Sequence, residues 1–153
     1  MELRFRPAWP NEAEMLTALA LRSKAHWGYD AAFMAACRDE LTTTEAMIRC
    51  DTYVVLDTGP RTQFLGMYAL CGKGECLEVA NFFIEPSHIG TGLGRPMMDN
   101  CLKIARAHGA TELKLDADPN AEAFYAAMGF ETVGRAPSGS IPGRDLPHMR
   151  RSF

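Results

Sequence analysis

Residues 75–109 read ECLEVANFFI, then EPSHIGTGLGRP, then MMDNCLKIARAHG, and this stretch decides the fold. Its opening, Glu75 to Ile84, is a long apolar run of the kind expected in a sheet interior covered on both faces, and it stops at Glu85-Pro86. From Leu93 to Ala107 the apolar positions Leu93, Met97, Cys101, Ile104 and Ala105 recur at helical spacing, and Gly109 supplies a left-handed stop. Leu113 and Leu115 then alternate with Glu112, Lys114 and Asp116 in a short strand. Residues 75–116 are therefore predicted to form a strand, a crossover helix and a second, parallel strand.

Upstream, Leu3 to Phe5 reads as a short strand, and Asn11 is placed to cap a helix carrying Met15, Leu16, Leu19 and Ala20 that ends near Ser23. Asp30 is placed to cap a second helix through Leu41, with Phe33, Met34, Cys37 and Leu41 on one side. Thr52 to Asp57 and Gln63 to Leu70 read as a hairpin around Gly59-Pro60, and Gly72 to Gly74 makes another turn. Downstream, Asp118 or its predecessor caps a helix that has Pro119 first and ends at Met128 before Gly129. Phe130 to Val133 and Leu146 to Arg151 read as closing strands, with a long loop from Pro137 to Pro147. This order of elements is an α+β, or mixed α/β, pattern in one domain over residues 1–153.

A chain of 153 residues can bury a substantial core unaided. Its 47% hydrophobic and 23% charged content is that of an ordinary globular protein. A net charge of -3 provides no broad positive field, which argues against nucleic acid or an anionic membrane as partner. Without a secretory signal or a spanning segment, the expected location is cytoplasmic. Five cysteines without a C-x-x-C pair fit reduced thiols, and four scattered histidines lack zinc spacing, so no metal is expected.

The glycine-rich turn Pro86 to Arg95 lies between a strand and a helix, so it is built to approach something. Glycines permit positive φ and close approach, and the first amides of a helix have no internal partner; together they make an anion cradle. Pro96 falls where a missing amide costs nothing, and Arg95 could add a contact to phosphate. A Walker loop requires G-K-[ST], whereas Gly94-Arg95-Pro96 stands here. A dinucleotide fingerprint requires glycine three residues after Gly92, where Arg95 stands. A glycine-rich connection that merely turns a corner remains the plain alternative.

The segment Ile89-Gly90-Thr91-Gly92-Leu93-Gly94 resembles the Q/R-x-x-G-x-G/A pyrophosphate loop of the GNAT superfamily of acyl-CoA-dependent N-acyltransferases, with Ile89 replacing the usual Gln or Arg. Asn120 to Phe130 resembles that family's N-x-x-A-x-x-F-Y-x-x-x-G-F block. The resemblance implies a central twisted mixed sheet of about seven strands flanked by about four helices. It also implies acetyl-CoA as co-substrate, held by the turn residues and Arg95, by Asn120 and Phe124, and by backbone groups of Phe82, Phe83 and Ile84. The strands ending at Ile84 and Asp116 would splay to admit the pantetheine arm.

Acyl transfer to an amine requires a neutral nitrogen, stabilisation of the oxyanion and a proton for the departing thiolate. By position, Glu78 matches the general base of the histone-acetyltransferase branch, and burial would raise its pKa; a carboxylate at a wet strand edge is the alternative. Asn81 could instead hold a proton-carrying water. The resemblance makes Tyr125 the general acid, and spacing agrees, since Phe124 and Met128 can face the core while Tyr125 lies one position round. A core tyrosine bonded to a carbonyl is the alternative. No cysteine lies in either motif, so direct attack is expected over a covalent route.

For the acceptor, Trp27, Tyr29 and Asp30 offer aromatic faces and a carboxylate for a cation, and Arg144 could recognise a carboxylate. Core aromatics and an exposed loop are the plain alternatives. The expected partner is a small-molecule amine or amino-acid-like substrate. A protein or peptide amine, a non-catalytic acyl-CoA sensor, a purely structural role and a homodimer are left open.

Overall fold

The computed structural model describes residues 3–59 and 64–153. Pro60 of the predicted turn and Gln63, the predicted strand start, lie outside the described residues. The element order is β1 (Arg4–Pro7), α1 (Ala13–Ala25), α2 (Ala31–Leu41), α3 (Glu45–Cys50), β2 (Thr52–Asp57), β3 (Gly66–Cys71), β4 (Cys76–Ile84), α4 (Gly94–Ala107), β5 (Glu112–Asp116), α5 (Glu122–Ala127), β6 (Glu131–Pro137) and β7 (Asp145–Ser152). The strands form one seven-stranded sheet in the order β1-β2-β3-β4-β5-β7-β6. Among the described residues only β4 and β5 pair in parallel, as expected for strands joined through a crossover helix. The fold is thus the predicted α+β arrangement, with five α-helices among the described residues.

Helices cover the sheet because their apolar stripes match its two faces. On one side Met98, Cys101, Leu102 and Ala105 of α4 join Leu77, Val79, Leu113 and Leu115 in the largest core cluster, together with Tyr125 and Met128. On the other, Leu16 and Leu19 of α1 pack on Val55, Met67 and Ala69.

Local differences from the predicted elements have physical causes. A 3-10 turn at Pro10–Glu12 precedes α1, so Asn11 does not cap it. Glu12 is buried, takes two bonds from the Arg6 guanidinium and accepts from the Trp9 amide, which fixes the turn ahead of the helix. Helix α3 was not anticipated: Thr44 caps it by accepting from the Met47 amide at 3.2 Å, but Ile48 is its one buried residue, so no periodicity marks it. Asp30 caps α2 as predicted, accepting from Phe33 N at 2.8 Å. β6 extends to Pro137 and β7 begins at Asp145, which shortens the predicted loop to residues 138–144.

What positions the site is a change of register in β4. Ala69 faces Asn81 while Leu70 faces Val79, so Ala80 is an extra residue without a partner on β3. A bulge of this kind bends its strand and increases the local twist. The β4–β5 ladder stops at Glu78↔Lys114, although β4 continues to Ile84 and β5 to Asp116. Beyond that rung the two strands part.

Candidate active site

The parted strands open into a cavity of about 580 Å³. Its lining takes in residues 79–84 of β4, the glycine turn, Leu115 and Asp116 at the end of β5, and Asn120, Ala121, Phe124, Tyr125 and Met128 around α5. The β4 edge that faced β5 up to Glu78 fronts this space.

Pro86–His88 forms a 3-10 turn, after which Gly90 and Gly92 adopt φ of +83° and +90°, the left-handed region that favours glycine. The amides of Gly90, Gly92 and Leu93 make no hydrogen bond within the described residues. A Cβ at Gly90 or Gly92 would meet nothing within 4 Å, so the turn has room in front of it. Helix α4 begins immediately afterwards, adding the positive end of its dipole. Gly94 serves a different purpose: a Cβ there would stand 2.4 Å from Phe124 Cε1, so its absence lets α4 seat against α5.

Ile89, Gly90, Gly92, Leu93, Gly94 and Arg95 line the cavity, whereas Thr91 does not and instead donates its hydroxyl to the His88 carbonyl at 2.6 Å. Phe82, Phe83, Ile84, Asn120 and Phe124 also line it.

Tyr125 is buried in an aromatic cluster with Phe82, Phe124 and Phe130. Its hydroxyl makes no hydrogen bond within the described residues, and since no fully buried side-chain oxygen there lacks a partner, it opens on the cavity, unlike a core tyrosine tied to a carbonyl. Burial, helped by the nearby Cys101 and Asp118, pushes its pKa well above the ordinary tyrosine value. Asn81 lines the cavity. Glu78 does not: it is exposed on the last β4–β5 rung, outside the lining, so the burial expected for it is not found. Cys101 is fully buried in the core rather than in the lining, and burial pushes its thiol up to about 12.

The acceptor-side candidates divide. Trp27 and Arg144 line the cavity; Asp30 is occupied as the α2 cap and, like Tyr29, does not. Tyr29 stacks on Phe33 with centroids 4.0 Å apart. Its hydroxyl donates to Asp118 Oδ2 at 2.8 Å and accepts from Arg144 Nη2 at 2.6 Å and Asn120 Nδ2 at 3.0 Å. Lys24 Nζ donates to Asp118 Oδ2 at 2.6 Å. Burial alone would raise the Asp118 carboxyl, but the bonds from Lys24 and from the Asn120 amide hold it below the usual range. Burial and the adjacent Asp118 push the Tyr29 phenol up.

Sequence reasoning missed Lys24 and the second role of Asp118. Asp118 stands two residues before Asn120, where the Asn-led block begins, and that adjacency is its local signal. Lys24, in the last turn of α1, looks like any solvated helix-end cation.

The architecture has close counterparts among solved structures. The PaiA N-acetyltransferase from Thermoplasma acidophilum, in complex with coenzyme A, aligns over the whole of both chains with a TM-score of 0.80 at 17% identity. A GCN5-related N-acetyltransferase from Rhodopseudomonas palustris aligns over 100% of this chain and 97% of its own, with a TM-score of 0.78 at 22% identity. An aminoglycoside 6'-N-acetyltransferase complexed with coenzyme A covers 99% of this chain and 97% of its own, with a TM-score of 0.70 at 15% identity. At such identities the likeness speaks for the fold. The sequence itself matches the family model for the acetyltransferase (GNAT) domain over residues 23–149, most of its length, and the chain belongs to the GNAT acetyltransferase family.

Proposed function

We propose that this protein moves the acetyl group of acetyl-CoA to the primary amine of a small molecule, by direct attack of the amine. One observation carries the reading: among the described residues, a turn with unpaired amides and a tyrosine hydroxyl that makes no internal hydrogen bond share one cavity at a parted seam. That coenzyme A accompanies two of the similar structures supports the choice of donor.

The unpaired amides, the N-terminus of α4 and Arg95 suit a diphosphate. The free edge of β4 at Phe82 to Ile84 offers main-chain groups to the amides of a pantetheine arm, with Asn120 and Phe124 alongside. Acetyl-CoA supplies an activated thioester carbonyl. A main-chain amide near Phe82 is the candidate donor to the developing oxyanion. Tyr125 provides the proton for the departing thiolate, and its raised pKa keeps that proton in place until the sulfur needs it. An alkyl ammonium has a pKa of about 10.4, so the acceptor must lose a proton before attack. With Glu78 outside the lining, Asn81 holding a water is the candidate relay. Burial of Cys101 with a raised thiol pKa supports direct attack over an acyl-cysteine.

The test is calorimetric titration with acetyl-CoA followed by thiol release in the presence of amines. Saturable binding and acceptor-dependent release are expected, and Gly92→Asp should abolish binding by placing negative charge against phosphate. Binding without release from any amine would mark a coenzyme-binding module instead. Lack of binding would refute the reading outright.

A further inference from the structure

The cavity wall beyond the glycine turn is formed by the end of α1, by α2 and by the 138–144 loop. Loop residue Ile141 packs on Ala20, Cys37 and Leu41, and Ser140 Oγ lies 3.5 Å from Cys37 Sγ. On this wall Lys24, Arg144 and Asp118 side chains keep only 15, 19 and 12% exposure. Two largely buried cations therefore face one carboxylate. Lys24 bonds Asp118 at 2.6 Å and Arg144 pairs with the same oxygen at the longer distance of 3.6 Å, so two cations share one carboxylate and the group carries one positive charge in excess. The other acids on the lining do not offset it: Glu40 forms no ion pair with Lys24 or Arg144 among the described residues, and Asp116 is bonded to His148 Nδ1 at 2.7 Å.

Arg144 is also held in a fixed plane. Its guanidinium lies 5.1 Å from the Tyr29 ring centroid and 4.8 Å from that of Phe33, and Nη2 donates to the Tyr29 hydroxyl. Its Nε and Nη1 have no acceptor within the described residues, although Arg144 lines the cavity. A preoriented guanidinium with unused donors and only a shared counter-ion fits a planar carboxylate. Trp27, Cys37, Leu41 and Leu146 make the adjoining lining mainly apolar.

We infer that the acceptor is a small amino acid, a primary amine that also carries a carboxylate on an apolar frame, and that Arg144 docks the carboxylate. Tyr29 is then a positioning residue for Arg144, and Asp118 anchors Tyr29. This inference rests on the acetyltransferase reading above.

The experiment measures kcat/KM with acetyl-CoA for matched acceptors: L-leucine against isoamylamine, L-phenylalanine against phenethylamine, 5-aminopentanoate against pentylamine, and O-phosphoethanolamine against ethanolamine. The carboxylate member of at least one pair should be preferred by about 10- to 100-fold, the range expected for charge-assisted hydrogen bonds. Arg144→Gln should bring that preference near unity while acetyl-CoA titration still saturates, which verifies the fold. If that variant does not bind the coenzyme, Arg144→Lys is used instead; it keeps the charge, loses the fork and should retain only part of the preference. Equal use of both members, a preference that survives Arg144→Gln or is whole in Arg144→Lys, or a larger preference for the phosphate would overturn the inference. So would acetyl-CoA binding with no amino acid acetylated. Failure of wild-type protein to bind acetyl-CoA would instead sink the acetyltransferase reading.

Discussion

Replacing Gly94 with alanine tests how tightly the start of α4 is built against the motor of the site. The added Cβ would stand 2.4 Å from Phe124 Cε1 and 2.7 Å from Cζ. Carbon pairs rest at about 3.5–4.0 Å, so the ring must retreat by about 1 Å. It is hemmed by the Phe82 and Tyr125 rings, with centroids 5.7 and 5.2 Å away. Overpacking of this kind costs about 1–3 kcal/mol. The change from Gly to Ala in a helix returns up to about 1 kcal/mol. A net loss of about 1–2 kcal/mol lowers the melting temperature by about 2–8 °C in a domain of this size. Thermal unfolding by circular dichroism without ligand reads it directly. Two companions isolate the cause. Gly94→Ala with Phe124→Leu should lose less than the two single changes added together, because the clash is shared. Gly92→Ala, at φ +90° with nothing within 4 Å, should cost about 1–2 kcal/mol through backbone strain alone, with no such coupling to Phe124. An unchanged melting temperature for Gly94→Ala, or strict additivity with Phe124→Leu, would refute the packing argument.

Tyr125→Phe should lower kcat by about 10²- to 10⁴-fold with little change in acetyl-CoA affinity, and unchanged turnover would remove its assigned role. Since its pKa is raised, kcat should show no basic limb from loss of this proton up to about pH 10; a limb below that, absent in Tyr125→Phe, would contradict the assignment. Cys101→Ala should keep turnover within about threefold while reducing thermal stability through a small core cavity; loss of turnover in folded protein would reinstate a covalent route. The Asp118 carboxyl sits below its ordinary value in the fold, so its stabilisation is complete above about pH 4 and is lost as pH falls through the folded-state pKa. Acid unfolding of Asp118→Asn should therefore show a shallower loss of stability below about pH 4, and an unchanged slope would deny that carboxylate its stabilising role.

Long, strongly patterned elements were legible in the chain. The stripe of α4, the alternation of β5 and the Asp30 cap are written in neighbouring residues, and so is the order of glycines in the turn. Short or irregular pieces were not. Helix α3 buries a single residue, and the α1 start depends on a carboxylate that folds back to Arg6 and Trp9. The candidate site follows the same division. The turn and Tyr125 fall inside contiguous motifs, while Lys24, Tyr29, Asp118 and Arg144 are drawn from four separate segments and meet only when the 138–144 loop lies against α2.

By itself the sequence determined the family, the parallel strand–helix–strand unit and the turn that can take an anion, because each is encoded in local backbone freedom and side-chain periodicity. Only the tertiary structure decided that Glu78 faces outward, that the ladder ends at Glu78↔Lys114 and that Arg144 is stacked beside a carboxylate already claimed by Lys24. Those outcomes depend on the register of one strand against another and on the packing of distant segments. A single unpartnered residue, Ala80, sets which way every later side chain of β4 points, and no pattern confined to neighbouring positions announces it.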